Sequence, residues 1–269
     1  MKLSESRLGI AVLLLPVLYF LITLLPPFPF FLLVTIAVLT AQYEFYKLYY
    51  RNENPKAIFL GLILGGLVLS RFYFTLPVSS DTVISTILMI VLIFQLFFFR
   101  TIQQSLLDSA ILFMGIFYLA GFLGYLIAIR QIETGFIFFL LFVVWGGDAG
   151  AYYIGRSIGG TKLYPIVSPN KTVSGAIGGL LTSLAGGCIA KLLFISSSFP
   201  LTWKEAVFLS LLLGGVGQLG DLVESLFKRS TGVKDSGVLV PAHGGILDKL
   251  DGVAFAAPVL YHCLIFAQG

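Results

Sequence analysis

The chain has 269 residues, of which 58% are hydrophobic and only 11% are charged. Its mean hydropathy is +0.98, which excludes an ordinary soluble domain. The net charge of +4 would favour anionic partners in a soluble protein, but in a membrane protein the distribution of cations among the loops is more informative. The composition predicts an all-α, polytopic integral membrane protein.

Several apolar runs approach or exceed the roughly 18 to 20 residues that cross a bilayer core. Lys2 and Arg7 precede the first run as in a signal peptide, but no A-x-A-like cleavage site follows, so we expect a retained span. Cys188 and Cys263 lie in apolar runs and favour buried thiols over a disulfide or a zinc site. About nine transmembrane helices are predicted, at 8–25, 28–43, 57–74, 82–99, 109–129, 134–154, 173–195, 205–223 and 252–267.

The cations predict the orientation of these spans. With the N-terminus in the cytoplasm, all but four of the 17 Lys and Arg residues fall on the inner side. The four others are Arg71, Arg130, Lys191 and Lys204. This bias follows the positive-inside rule and predicts a multi-pass protein of the cell membrane, in bacterial terms the inner membrane, with a cytoplasmic N-terminus.

The charges divide the chain into two regions. In 1–133 they lie in loops, which predicts a scaffold that faces lipid or makes oligomer contacts. In 134–269 acids lie at span ends on the predicted cytoplasmic side, where intramembrane ionisable groups indicate function. We therefore predict that 134–269 is the catalytic region. The acids are Asp148, Asp221, Glu224, Asp248 and Asp251.

Three segments of this region carry residues suited to phosphate and metal. In WGGDAGAYYIGR, 145–156, Asp148 suits a hard cation and Arg156 suits phosphate, although an Asp–Arg pair at a helix break explains them as well. In SPNKT, 168–172, the donors Ser168 and Lys171 precede a predicted helix, as phosphate ligands or as an ordinary N-cap with a topology lysine. GDLVESLFKRS, 220–230, places four polar side chains on one helix face, if it is not simply a salt-bridged helix end. They are Asp221, Glu224, Ser225 and Lys228.

The stretch 228–255 combines cations, aspartates and a histidine between two apolar runs. Asp248 and Asp251 are three residues apart, so both carboxylates can face the same way. His243 and two glycines precede them in a turn that backbone N–H groups can use to approach a ligand, although a lone histidine is more often structural. The cationic rim consists of Lys228, Arg229, Lys234 and Lys249. Together the four segments predict a polyphosphate site.

The segment SLFKRSTGVKDSGVLVPAHGGILDKLD, 225–251, resembles the signature of the phosphatidate cytidylyltransferases, or CDP-diacylglycerol synthases. GDAGAYYIGR and SPNKTVSG also resemble segments of that family, and the likeness covers roughly 145–255. Three positions depart from the family pattern: Ala242 replaces Gly, Lys249 replaces Arg and Ser174 replaces Glu. Because Lys249 keeps the charge and loses bidentate geometry, the departures bear on efficiency and preference more than on reaction class.

The resemblance implies that CTP and phosphatidate give CDP-diacylglycerol and pyrophosphate, with Mg²⁺ required and a second cation such as K⁺ in a two-cation site. It implies no nucleic-acid partner and leaves a homodimer open. The metal ligands it implies are Asp148, Asp221, Asp248 and Asp251, and the catalytic residues are Asp221, Lys228, Asp248 and His243. The residues implied for substrate binding are Arg156, Ser168, Lys171, Lys228, Arg229, Lys234, Asp235 and Lys249.

Two other functions are consistent with these residues. Another CTP-dependent lipid enzyme, of the polyprenol kinase or CDP-archaeol synthase type, also needs a cytoplasmic nucleotide site. A kinase would need a base for a neutral alcohol and would transfer the γ-phosphate. A cation-coupled transporter also uses intramembrane acids, but its path needs polar groups that reach toward the outer face. The polar residues of this sequence cluster on one predicted side.

Overall fold

The computed structural model of the chain describes residues 17, 19–51, 53–75, 77–196, 199–233, 236–237 and 245–268. Most of the described chain is helical, and the one sheet among these residues is a two-stranded hairpin. The helices and strands are α1 (Pro27–Tyr50), α2 (Pro55–Ser70), α3 (Ser80–Phe98), α4 (Ser105–Met114), a π-helical turn (Gly115–Gly121), α5 (Tyr125–Ile132), α6 (Gly135–Ile158), β1 (Lys162–Tyr164), β2 (Ser168–Thr172), α7 (Val173–Phe194), α8 (Trp203–Ser230) and α9 (Leu247–Gln268).

Seven helical segments of the described chain are long and apolar enough to cross a membrane. One of them, Ile102–Ile132, combines a short 3₁₀ turn (Ile102–Gln104), α4, the π-helical turn and α5. The apolar helix α2 is shorter, at 16 residues. The prediction of an all-α polytopic membrane protein is confirmed. The predicted first span, 8–25, lies mainly outside the described residues, so the total of nine spans and the cytoplasmic N-terminus stay predictions.

Local sequence signals explain where the helices begin. Pro27 and Pro55 stand in the first turns of α1 and α2, where the missing N–H is not needed for an intrahelical bond. The Asn54 side chain accepts a hydrogen bond from the Ala57 N–H. Thr202 and Glu205 form a capping box at the start of α8. These caps satisfy backbone donors that water cannot reach freely near a membrane.

The hairpin between α6 and α7 was not predicted. Lys162 pairs with Thr172 and Tyr164 pairs with Ser168 in antiparallel register, so SPNKT forms strand β2. The predicted helix start follows directly at Val173, where the Thr172 side chain accepts a hydrogen bond from the Gly175 N–H. A short polar strand without alternating apolar residues carries no periodic signal, which is why the sequence did not indicate it.

Small residues let α6 and α7 pack very closely, and this is the most extensive contact between two helices of the described chain. A Cβ atom at Gly150 would lie 2.6 Å from the Cβ of Thr182. The Ser183 hydroxyl donates to the Val143 carbonyl across the interface at 2.8 Å. Such packing replaces the hydrophobic driving force that is missing between helices in lipid. It fixes α6, which carries Asp148, against the start of α7.

The helix α8 extends further than the predicted span 205–223. Its 28 residues have a length of about 42 Å at 1.5 Å per residue, well beyond the hydrocarbon core of roughly 30 Å. Its polar C-terminal turns therefore continue past the apolar layer as regular helix. Asp221, Glu224 and Lys228 lie on one face of this single continuous helix.

Candidate active site

Three carboxylates meet where α8 packs against α9. Asp221 and Glu224 lie on one face of α8, and Asp251 lies in the first turns of α9. One carboxylate oxygen from each lies within 4.8 Å of the other two. Glu224 and Asp251 are only 1% and 6% exposed. We call Asp221, Glu224 and Asp251 the acidic group.

A glycine brings the two helices close enough to form this group. A Cβ atom at Gly220 would lie 2.6 Å from the Asp251 carbonyl oxygen, so a larger residue there would separate α8 from α9. The residue next to Gly220 is Asp221, whose carboxylate is thereby held near the first turns of α9. The close approach positions the acidic group by backbone packing.

Lys228 connects the acidic group to Asp248. Its Nζ lies 2.5 Å from Glu224 Oε2 and 2.7 Å from Asp248 Oδ1. The second oxygen of Asp248 accepts from the Gly245 N–H at 2.7 Å and from the Ser236 hydroxyl at 2.8 Å. Both oxygens of Asp248 are therefore engaged within the protein. The two carboxylates of α9 were expected to face the same way, but they have different partners. Asp248 contacts Lys228, and Asp251 contacts the acids of α8.

The charges of the acidic group are only partly compensated. Lys171 of β2 pairs with Asp221 Oδ2 at 2.6 Å, and Lys228 pairs with Glu224. Within the described residues, Glu224 Oε1 has no hydrogen-bond partner. Asp251 forms no ion pair with a described residue, and its carboxylate accepts one hydrogen bond, from the Gly252 N–H. Buried carboxylates need a counter-charge, and oxygen ligands of this kind suit Mg²⁺ or another hard cation. The residues thus fit a cation site.

A cavity of about 600 Å³ lies beside the acidic group, a volume within the range of small-molecule sites. Asp148 and Asp221 line it from α6 and α8, and Lys162 and Lys171 line it from the hairpin. Arg156 also lines it and donates to the Tyr152 hydroxyl at 3.0 Å. Acids and cations therefore share the wall of one cavity, which suits a phosphate-bearing ligand and its metal ion.

Other predicted residues of the described chain lie outside the acidic group. Arg229 donates to the Val167 carbonyl at 3.4 Å and ties the end of α8 to the hairpin loop. Ser168, at the start of β2, is not part of the cavity lining described above. Lys249 has an exposed side chain, and its backbone carbonyl accepts from Trp145 Nε1 at 3.2 Å. Ser174 bonds the Thr172 hydroxyl at 3.0 Å and also donates to the Gly159 carbonyl. The predicted residues Lys234, Asp235, Ala242 and His243 lie outside the described residues.

Three residues at or near the site were not among the predicted site residues. Glu224 was noticed on the polar face of α8 but not assigned to the metal. Glu44 on α1 accepts a hydrogen bond from the Leu247 N–H at the start of α9. The hydroxyl of Tyr118, in the π-helical turn, is buried and has no hydrogen-bond partner in the described chain, and its ring meets that of Phe227 on α8 at 5.8 Å. Glu44 directly follows the predicted span 28–43, where a charge indicates a loop, and no sequence signal marks Tyr118, so the sequence predicts neither residue at the site.

Several known proteins are similar to this chain over half or more of its length. The chain is 44% identical over 161 residues to the phosphatidate cytidylyltransferase of Staphylococcus saprophyticus, which is 60% of this chain and 61% of that protein. It is 43% identical over 143 residues to the Bacillus subtilis protein of the same name, 52% of either chain. A third relative of that name, from Brucella suis, is 48% identical over 151 residues, 55% of this chain and 54% of its own.

These alignments cover only a little over half to three fifths of the relatives' length. The match to the family as a whole is more extensive, because the sequence model of the cytidylyltransferase family spans residues 5–267. It includes the acidic group, the cavity and all the described helices except the last residue of α9. The chain belongs to the cytidylyltransferase family.

Proposed function

We propose that the chain transfers the cytidylyl group of CTP to phosphatidate and forms CDP-diacylglycerol and pyrophosphate. The observation that carries the proposal is the acidic group beside a cavity lined by Lys162, Lys171 and Arg156. Such a cavity accommodates the triphosphate of a nucleotide together with its metal ion. The family and the names of the relatives support cytidylyl transfer to a lipid phosphate.

The reaction is a substitution at the α-phosphorus of CTP. A phosphate oxygen of phosphatidate forms the new P–O bond, and the bond between the α-phosphorus and the bridging oxygen breaks, so pyrophosphate leaves with that electron pair. The lipid phosphate is already ionised, so no protein base or covalent nucleophile is required. The protein must hold two anions together and stabilise the charge that develops on the leaving group.

Residues of this chain supply that stabilisation in the proposal. Lys171 and Arg156 bind phosphate oxygens in the cavity, and Lys162 adds a third cation on the same wall. Asp221, Glu224 and Asp251 hold Mg²⁺, with Asp148 at the cavity wall as a further ligand directly or through water. When bound, Mg²⁺ neutralises charge on the phosphates and orients them. Lys228 holds Glu224 and Asp248 in place.

The location of the substrates sets the orientation. CTP is dissolved in the cytosol and phosphatidate lies in the membrane, so the site must open to both. We therefore propose that the hairpin and the polar end of α8 face the cytoplasm, in agreement with the cation distribution. A second cation beside Mg²⁺, such as K⁺, stays a prediction. The formation of a homodimer is likewise only predicted.

The fate of labelled CTP tests the proposal. Purified protein in detergent is incubated with phosphatidate, Mg²⁺ and CTP labelled at the α-phosphate. We expect the label in a chloroform-soluble product that requires phosphatidate. Label found only in CDP would contradict cytidylyl transfer and would indicate a CTP-dependent kinase. Ion-dependent solute uptake by proteoliposomes without CTP turnover would indicate a transporter instead.

A further inference from the structure

Glu44 links the N-terminal half of the chain to the site. It is the one acidic residue of α1 and is only 3% exposed. Its Oε2 accepts a hydrogen bond at 2.8 Å from the backbone N–H of Leu247, the first residue of α9. That N–H belongs to the first turn of the helix and has no intrahelical partner. A residue 203 positions away in sequence thus caps the helix that carries Asp248 and Asp251.

Two glycines give this carboxylate its place. A Cβ atom at Gly245 would lie 2.5 Å from Glu44 Oε2, and one at Gly237 would lie 2.6 Å from Glu44 Oε1. Both distances are below the contact of two nonbonded atoms, so a larger residue at either position would displace the Glu44 carboxylate from its present place. Gly237, Gly245 and the Glu44 carboxylate are therefore in close mutual contact.

Gly245 and the neighbour of Gly237 also hold Asp248. The Gly245 N–H donates to Asp248 Oδ2 at 2.7 Å, and the neighbour of Gly237, Ser236, donates to the same oxygen at 2.8 Å. Asp248 Oδ1 in turn contacts Lys228. A second contact joins α1 to α8, since the rings of Phe45 and Phe227 meet edge-to-face at 5.7 Å. Glu44 and Asp248 are therefore held by the same two described segments, 236–237 and 245–247.

We propose that Glu44 is a positioning residue for the reaction, which holds the first turn of α9 in the register that brings Asp248 to Lys228 and Asp251 to the acids of α8. On this proposal α1 is part of the active-site architecture and not only a scaffold. The catalytic part of the inference depends on the proposed function, whereas the structural part does not. The length of the Glu44 side chain is the property that matters, because its carboxylate oxygen must come within hydrogen-bond distance of the Leu247 N–H.

The test compares three variants of full-length protein in detergent. Glu44→Gln keeps the reach and an acceptor oxygen, whereas Glu44→Asp keeps the charge but is one methylene shorter. Glu44→Ala removes both. We expect kcat to fall roughly 10- to 100-fold in the Ala and Asp variants, since small misplacements of catalytic groups have effects of this size. We expect the Gln variant to stay within about fivefold of wild type, and KM for CTP to change little in all three.

Gln42→Ala is the matched control. Gln42 is a fully buried polar residue on the same helix, and its amide donates to the Gly61 carbonyl and the Tyr46 hydroxyl within the N-terminal half. We expect this variant to melt at a lower temperature but to keep the kcat of its folded fraction. A loss of kcat equal to that of Glu44→Ala would reduce Glu44 to a general packing role and overturn the proposal.

Hydrogen exchange separates this inference from the proposed function. We expect the amides of 245–252 to exchange faster in Glu44→Ala and Glu44→Asp than in wild type or Gln42→Ala, whatever reaction the protein performs. Unchanged exchange at these amides would overturn the inference even if CDP-diacylglycerol is formed. Full activity in Glu44→Asp together with lost activity in Glu44→Gln would also overturn it, because charge and not reach would then be the property required.

Discussion

Lys228 is the residue whose contacts are most informative about the site. Its ammonium group touches Glu224 and Asp248 at once, and its side chain is only 13% exposed. Removal of one member of a buried ion pair leaves an uncompensated charge, which costs about 3 to 5 kcal/mol. The sequence indicated Lys228 as a phosphate ligand, but the structure assigns it a second task, the compensation of two acids.

The first prediction concerns this pairing. Lys228→Met should lower the melting temperature in detergent strongly, whereas Lys228→Met combined with Glu224→Gln should lose less than the sum of the two single changes, because residues in contact couple by about 0.5 to 3 kcal/mol. Glu53→Gln is the control. Glu53 is 67% exposed in its pair with Arg100, and such surface pairs contribute little. Additive effects at 228 and 224 would mean that the buried pair does not form.

The second prediction concerns Asp248. Asp248→Asn should abolish turnover, because the amide oxygen still accepts from Gly245 and Ser236 but the amide no longer compensates Lys228. We expect a lower melting temperature but a folded protein, since Lys228 keeps Glu224 as a partner. Ser236→Ala removes one hydrogen bond to the same carboxylate and should reduce kcat only about three- to tenfold, in line with a single hydrogen bond. The comparison is made with CDP-diacylglycerol formation at saturating CTP. Wild-type turnover in Asp248→Asn would remove Asp248 from the mechanism.

At the scale of the elements, the helices follow directly from the apolar runs, because the bilayer thickness sets the length of a span. The predicted ends differ from the structure where a helix continues through polar residues, as α8 does after 223. The hairpin could not be predicted, since its strands pair with each other and present no apolar face. The contact between Glu44 and Leu247 could not be predicted either, because it depends on how α1 packs against α9.

The third prediction concerns the interface between α6 and α7. Gly150→Val should separate the helices, since its Cβ would collide with the β-branched side chain of Thr182, and overpacking of this kind costs about 1 to 3 kcal/mol. Gly150→Val should also bind CTP more weakly, because Asp148 and the start of α7 line the same cavity. Gly146→Ala, one turn earlier, is the control, since its Cβ would lie 3.6 Å from the nearest atom, the Thr182 carbonyl oxygen. Equal melting temperatures for the two variants would contradict the packing described above.

At the scale of the whole molecule, residues from both halves of the chain converge on one end of the helix bundle. The sequence predicted a catalytic region at 134–269 from its acids and its family segments, and the structure brings Asp148, Lys171 and Asp221 to one cavity. The division of work between Asp248 and Asp251 depends on the rotation of α9 against α8, which residue spacing alone does not determine. The contribution of α1 and the π-helical turn depends on long-range packing and was predicted only as a scaffold.

The central claim is that the acidic group holds the metal ion used in cytidylyl transfer. The most direct measurement is a Mg²⁺ titration of CDP-diacylglycerol formation by wild type, Asp251→Asn and the control Asp81→Asn, which changes an exposed acid at the start of α3. We expect Asp251→Asn to need at least about tenfold more Mg²⁺ for half-maximal rate, as expected when about 1.4 kcal/mol or more of binding energy is lost, and Asp81→Asn to match wild type. An unchanged Mg²⁺ requirement in an active Asp251→Asn enzyme would contradict the claim.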